Sequence, residues 1–121
     1  MKKHLLPAFV LGLILIFSCE NEDLEWVTID PIQCMGNPWE LAWGEEYGED
    51  YDLWSELGAE GQMDVFETYY EDQGVVIHEI KTSFPYDAVC AACSCPRGDR
   101  IHCSVSEEDV DQMLELGFEL E

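Results

Sequence analysis

Val75-Val76-Ile77-His78-Glu79-Ile80-Lys81-Thr82 and Arg100-Ile101-His102-Cys103-Ser104-Val105 flank a loop that contains Cys90-Ala91-Ala92-Cys93-Ser94-Cys95-Pro96-Arg97-Gly98-Asp99. The two flanks decide the fold. The first is rich in branched apolar residues (Val75, Val76, Ile77, Ile80), and Phe84-Pro85-Tyr86 ends it, so it reads as a strand over 75–82. In the second, Ile101, Cys103 and Val105 alternate with His102 and Ser104. That is the period of a strand over 100–105 with one buried face. Two strands joined by a loop of about 17 residues are most simply antiparallel. His78 shares a face with Val76 and Ile80, which makes it a core or boundary histidine sooner than a ligand.

Helical signals lie on both sides. Asn37-Pro38 opens a helix over 38–47. Asn is a capping residue, Pro fits the first helical position, and Glu40 sits where the helix dipole favours an anion. Trp39, Trp43 and Tyr47 repeat on one face of it, and Gly48 suits its stop. Residues 48–61 are acidic, with Tyr51, Trp54 and Leu57 spaced for one more helical turn or a pinned loop. From Gln62 to Gln73, the spacing of Met63, Phe66, Tyr69 and Tyr70 predicts a helix that ends before Gly74. A hairpin turning at Asp72-Gln73-Gly74 is the rival. After the second strand, Ser106 and Asp109 form a variant capping box. Val110, Met113 and Leu114 are the expected buried stripe of that last helix. Gly117 ends it, with Phe118 folding back.

The order helix, helix, strand, cysteine loop, strand, helix predicts a small α+β domain over 34–121, its two antiparallel strands covered by short helices on one face. Residues 19–33 read as an acidic tether with one extended apolar patch, Trp26-Val27-Thr28-Ile29, broken at Asp30-Pro31.

The first residues divide like a secretion signal: Lys2 and Lys3, an uncharged apolar run from Leu5 to Phe17, then the small Ser18 before Cys19. That run is short of the ~20 residues of a spanning helix. Ile16-Phe17-Ser18-Cys19 resembles the lipobox of bacterial lipoproteins. The resemblance implies that residues 1–18 are a cleaved signal peptide and that Cys19 carries the lipid, palmitate-like acyl chains fixing the protein to a membrane. Two such chains give stable anchoring. The alternative is an ordinary signal with Cys19 as a plain thiol. Glu20 to Asp23 is similar to acidic tags that send lipoproteins to the cell surface, or else is simply a solvated tether. The expected location is therefore the outer membrane, facing the periplasm or the cell surface.

Lipidation of Cys19 leaves Cys34, Cys90, Cys93, Cys95 and Cys103. Outside the cytoplasm thiols tend to become disulfides, and an odd number leaves one over. Three readings compete. In the first, Cys34 bridges to the loop and a second bridge joins two loop cysteines, with Cys90–Cys95 more relaxed than Cys93–Cys95. Cys103 is then a buried free thiol. In the second, Cys90, Cys93, Cys95 and Cys103 are four thiolates for Zn²⁺ or Cu(I), with His102 adjacent, although a second Cys-x-x-Cys is missing. In the third, Cys90 and Cys93 are a redox pair, activated by Arg97 and Arg100.

Charge narrows the partners. Only Lys81, Arg97 and Arg100 remain basic after cleavage, against 27 acids. Phosphate binding needs a basic footprint, so nucleic acid is excluded. Life in high salt, or a cationic partner such as a metal ion or a basic protein, explains such acidity. Disorder fits poorly with the aromatic content. Trp39, Trp43 and Trp54 read as core sooner than as a grip for a sugar ring. Asp50 and Asp52 lack the glycine and the later glutamate of a calcium loop, and no catalytic triad order, zincin pattern or phosphate loop is present. The expectation is an exported binding or structural accessory. Metal binding is the alternative and thiol oxidoreduction the third; no enzymatic activity is otherwise indicated.

Overall fold

The computed structural model describes residues 23–121, so the expected signal peptide, Cys19 and all of the acidic cluster but Asp23 lie outside the described range. Four strands, β1 (Leu24–Ile29), β2 (Ile77–Ser83), β3 (Arg100–Ser106) and β4 (Glu119–Leu120), make one antiparallel sheet in the order β2-β3-β1-β4. Helices α1 (Pro38–Tyr47), α2 (Tyr51–Glu56) and α3 (Gly58–Asp72) come between β1 and β2, and α4 (Val110–Glu115) precedes β4. The small α+β architecture is as the sequence predicts, with two strands more than expected.

The added strand β1 corrects the reading of 19–33 as a tether. It pairs along its whole length with β3, from Leu24↔Ser106 to Ile29↔Ile101, and with β4 on its other edge. Val27 is 0 % exposed, and Pro31 beyond the strand is fully buried. The domain therefore begins by Leu24, ten residues ahead of the expected boundary at Cys34. A strand whose partner lies at the far end of the chain carries no local turn signal, and Glu25 and Asp30 mask its apolar content.

A bulge corrects the reading of His78. Ile77 pairs with Val105 and Glu79 with Ser104, so one residue is left over between them. The extra residue shifts the alternation. Ile77 and Ile80 both lie on the core side, while Val76 and His78 are exposed. The final helix also departs from expectation. Ser106 makes no side-chain cap, because residues Glu107–Asp109 wind first as a 3₁₀ turn. Its hydroxyl instead lies 3.5 Å from His78 Nε2. The tighter turn rotates the helix, so Met113 is buried but Leu114 is 38 % exposed, and Leu116 packs on the core in its place.

Two helix ends follow one design. Phe118 N–H donates to Met113 C=O (3.0 Å) and Gly117 N–H to Leu114 C=O (3.1 Å); Val75 N–H donates to Tyr70 C=O (3.0 Å) and Gly74 N–H to Glu71 C=O (2.9 Å). These are Schellman closures, with the glycines at positive φ. They turn Phe118 and Val75 straight into the core. There Trp39, Phe66, Tyr70 and Phe118 pack in a chain of centroid distances of 4.8, 4.9 and 5.1 Å, edge to face at Trp39–Phe66 and Tyr70–Phe118 and tilted at Phe66–Tyr70. This aromatic layer rests on Val27, Ile77, Ile101, Cys103 and Val105 of the sheet. Trp54 is buried beside it and Trp43 half-buried, so two of the three tryptophans are core as read.

Candidate functional site

The cysteine loop is bound to the segment that leaves β1. Cys34 is bridged to Cys93 and Cys90 to Cys95, with Cα separations of 5.1 and 5.7 Å. Backbone bonds add to the clamp: Gln33 N–H donates to Cys95 C=O (3.0 Å) and Arg97 N–H to Pro31 C=O (2.9 Å). The Gln33 side-chain amide donates to the Cys90 and Pro96 carbonyls. Cys34 and Met35 hold positive φ, 64° and 54°. Non-glycine residues pay about 1 kcal/mol each there, so the bridge and its hydrogen bonds offset a strained turn. The turn is also fixed from the helix side. Asn37 caps α1 and exchanges two hydrogen bonds with Ile32: its Oδ1 accepts from Ile32 N–H (2.8 Å) and its Nδ2 donates to Ile32 C=O (2.9 Å).

This arrangement is the staple, and it separates the residues the other two cysteine readings need together. Cys90 and Cys93 are each bonded to a different partner, so they are not a Cys-x-x-Cys redox pair. Cys90, Cys93 and Cys95 are spent as disulfides, while Cys103 points into the core, 0 % exposed. The four sulfurs therefore do not form one thiolate set, and no cluster of three or more His, Cys, Asp or Glu suited to a metal ion occurs among the described residues. Burial pushes the Cys103 thiol up to about 12, with Glu67 adding to the effect.

Among the described residues, each Lys and Arg is engaged. Arg100 makes a bidentate pair with Asp30, at 2.7 and 3.0 Å, and Tyr86 donates its hydroxyl to the same carboxylate. Those bonds, Arg100 first, hold Asp30 below the usual carboxylate range against the opposing effect of burial. Arg97 binds Asp99 (2.7 and 3.0 Å) and faces Glu40 at 3.6 Å; Glu40 is a carboxylate only 3 % exposed. Burial works against the Arg97 charge, yet Asp99 and then Glu40 keep its pKa above the ordinary value. Lys81 lies 4.4 Å from the Trp26 ring centroid and 3.9 Å from Glu79. Arg97 and Arg100 thus act as structural cations, not as activators of a thiol.

On the face of the sheet away from the helices, His102 joins two strands and the chain end. Its Nε2 is 2.7 Å from Ser83 Oγ and its Nδ1 is 3.1 Å from Glu121 Oε1. The order of groups is that of a nucleophile, base and orienter. Ser83 is not in the lining of the clefts described on the helical side.

A cleft of about 290 Å³ lies between α1 and α3. Trp43, Glu46 and Tyr47 of α1 line one wall, and Asp64, Tyr69 and Asp72 of α3 line the other. Spacings of three and four in α1, and of eight between Asp64 and Asp72, bring these side chains to facing stripes. Trp43 and Tyr47 stack at 5.5 Å with planes tilted by 34°. No protein-family model matches the chain, and no curated protein or solved structure matches it. The cleft must therefore be read from its own chemistry.

Sequence reading named none of the Asp30–Arg100–Tyr86, Ser83–His102–Glu121 or α1–α3 groupings. Each joins side chains far apart in the chain, and only the Trp43–Tyr47 spacing was visible as a local pattern.

Proposed function

We propose that this protein is exported and anchored by lipid on Cys19 at the outer membrane, where a disulfide-stapled domain serves as a binding or structural accessory. The observation that carries the reading is the pairing of Cys34 with Cys93 and of Cys90 with Cys95, behind a sequence that resembles a lipobox. Disulfides persist in oxidising compartments and are rare in the cytosol. A small domain with a modest core also gains most from such cross-links. Strand β1 begins at Leu24, five positions after Cys19, so only a short acidic stretch separates the stapled domain from the acyl chains. With 27 acids in the chain, an anionic membrane surface repels the domain and leaves its faces open to partners.

Intact-mass analysis of the protein recovered from the membrane fraction tests the anchor. The expected species begins at Cys19, carries acyl mass and contains both disulfides. Cys19→Ala is expected to release the chain from the membrane fraction. A soluble cytosolic protein with its opening methionine and reduced thiols would overturn the proposal.

A further inference from the structure

We propose that the free edge of strand β2 is a docking surface for a second copy of this chain, joined antiparallel about Ile80 so that Glu79 of each protomer faces the partner's Lys81. The pairing goes beyond the accessory role proposed above and is independent of the lipid anchor.

The sheet order β2-β3-β1-β4 leaves β2 paired on one side only. An unpaired strand edge presents a row of backbone N–H and C=O groups, and such a row takes up another strand unless the fold blocks it. His78, Glu79, Lys81 and Thr82 of β2 are exposed, and no other strand among the described residues lies beyond them. The opposite edge is poorly suited to the same use. Strand β4 is two residues long, and Glu119 and Glu121 crowd it with like charge.

The side chains along this edge are complementary to themselves. With Ile80 opposite the partner's Ile80, antiparallel pairing sets Glu79 opposite the partner's Lys81 and Lys81 opposite the partner's Glu79. The two charges share one face of the strand. They are 59 % and 61 % exposed, and Lys81 Nζ is 3.9 Å from Glu79 Oε1. So loose a contact leaves both free to reach across a two-fold axis, where directly opposed unlike charges stabilise a strand pair and like charges oppose it. At the two ends of the strand, Val76 and Phe84 are apolar and uncovered, 58 % and 77 % exposed. The same axis carries the Val76 end of one strand to the Phe84 end of the other. Charges and bulges on an edge ordinarily keep strands apart. Here the bulge lies between Ile77 and Glu79, and the register from Glu79 to Ser83 is regular. The charges are of opposite sign, so they reject a strand of one sign and accept their own copy. The rest of the chain strengthens the choice. With 27 acids against five Lys and Arg, most of its surface repels its own copy, whereas Val75 to Phe84 holds one acid and one lysine. A two-fold contact of this kind is self-complementary and stops at a dimer.

Sedimentation equilibrium of the full chain in a density-matched non-ionic detergent tests the pairing, beside amide hydrogen exchange at low and high protein concentration. A reversible dimer is expected, with exchange in Ile77–Ser83 slowing as the concentration rises. Glu79→Lys and Lys81→Glu should each weaken the dimer roughly tenfold, since each sets like charges opposite one another at both positions related by the axis. The chain with both substitutions should regain the native dissociation constant, and an equimolar mixture of the two single variants should form the heterodimer. Glu79→Lys also lowers the net negative charge, so general repulsion alone would make that variant associate more tightly than the native chain; that result would overturn the proposal. Unchanged circular dichroism shows that the variants fold, and if one does not, the exchange of the native chain decides. A chain that stays monomeric, a dimer indifferent to the charge exchange, or protection that grows outside β2 and not within it would each overturn the pairing. A cytosolic, unacylated protein that still dimerises through β2 would overturn the anchor and leave the pairing standing.

Discussion

Cys34 and Cys93 stand 59 residues apart in the chain and 5.1 Å apart between Cα atoms. The bridge closes a loop that contains all three long-range-packed helices α1 to α3 and strand β2. Loop-closure entropy for such a span contributes about 4 kcal/mol, and the short Cys90–Cys95 loop about 2 kcal/mol. The strained φ values of Cys34 and Met35 are relieved when the bridge is cut, so the loss should fall somewhat short of that. Cys34→Ser with Cys93→Ser is expected to lower the urea-unfolding free energy by about 3 kcal/mol, and Cys90→Ser with Cys95→Ser by less. Equal midpoints for the two pairs would contradict the assigned connectivity.

Cys103 gives the second expectation. Its thiol is completely buried and pushed up to about 12 by that burial. A thiol reacts as its thiolate. At mildly alkaline pH the native protein should therefore show no rapidly reacting thiol, and the acylated chain denatured without reductant should show one. Immediate labelling of the native state would mean that the core does not close over β3.

Tyr70 carries the third. Its side chain is buried, and its hydroxyl has no hydrogen-bond partner among the described residues. Burial also drives its pKa well above the ordinary phenol value. An unpaired buried hydroxyl costs free energy that a phenyl ring does not. Tyr70→Phe is expected to leave stability unchanged or to raise it by up to about 1 kcal/mol. A clear fall in melting temperature would show that the hydroxyl has a partner after all.

The sequence made most of this core legible, for a physical reason. Helix α1, the aromatic repeat of α3 and the Ile101–Cys103–Val105 alternation are all local periodicities, and local periodicity is what a single sequence displays. The Schellman ends at Gly117 and Gly74 were readable for the same reason, since each uses only a few consecutive residues. Strand β1 was not readable, because its stability comes from pairing with β3 and β4 across the whole chain. His78 was misplaced because a bulge has no composition signature of its own. The disulfide partners of Cys34 and Cys90 could be narrowed by ring size alone. The α1–α3 cleft could not be anticipated, since it depends on how two helices face each other.

Asp30 contributes to the acid limb of stability. Its hydrogen bonds from Arg100, and from Tyr86, hold its folded-state pKa below the ordinary 3.8. The unfolded chain then binds the proton more tightly than the folded one. The contribution of Asp30 is thus fully present above that ordinary value and is lost as the pH falls through the lower, folded value. Asp30→Asn should lower stability at neutral pH, and its difference from the native protein should vanish once the pH is well below 3.8. Unfolding titrations at a series of pH values measure this directly. A constant difference down to the most acidic point would assign the loss to packing instead of to the ion pair.

Salt should stabilise the domain, and by a mechanism that separates it from the specific pairs above. Among the described residues, 25 of the 27 acids (all but Glu20 and Glu22) face only Lys81, Arg97 and Arg100 as Lys or Arg partners, and those three are already held in short-range contacts. The remaining carboxylates are spread over the helices, the loops and the sheet edges, where their mutual repulsion acts across solvent. The Debye length shrinks from about 30 Å at 0.01 M to about 3 Å at 1 M salt, so the repulsion is largely screened over that range while the half-buried Asp30–Arg100 pair is screened much less. The melting temperature is expected to climb with sodium chloride and then level off, and the Asp30→Asn difference at neutral pH is expected to change little. A flat curve would mean that the acids are neutralised by something other than solvent ions. A falling curve would mean that the few ion pairs outweigh the repulsion, contrary to the balance of charges over the surface.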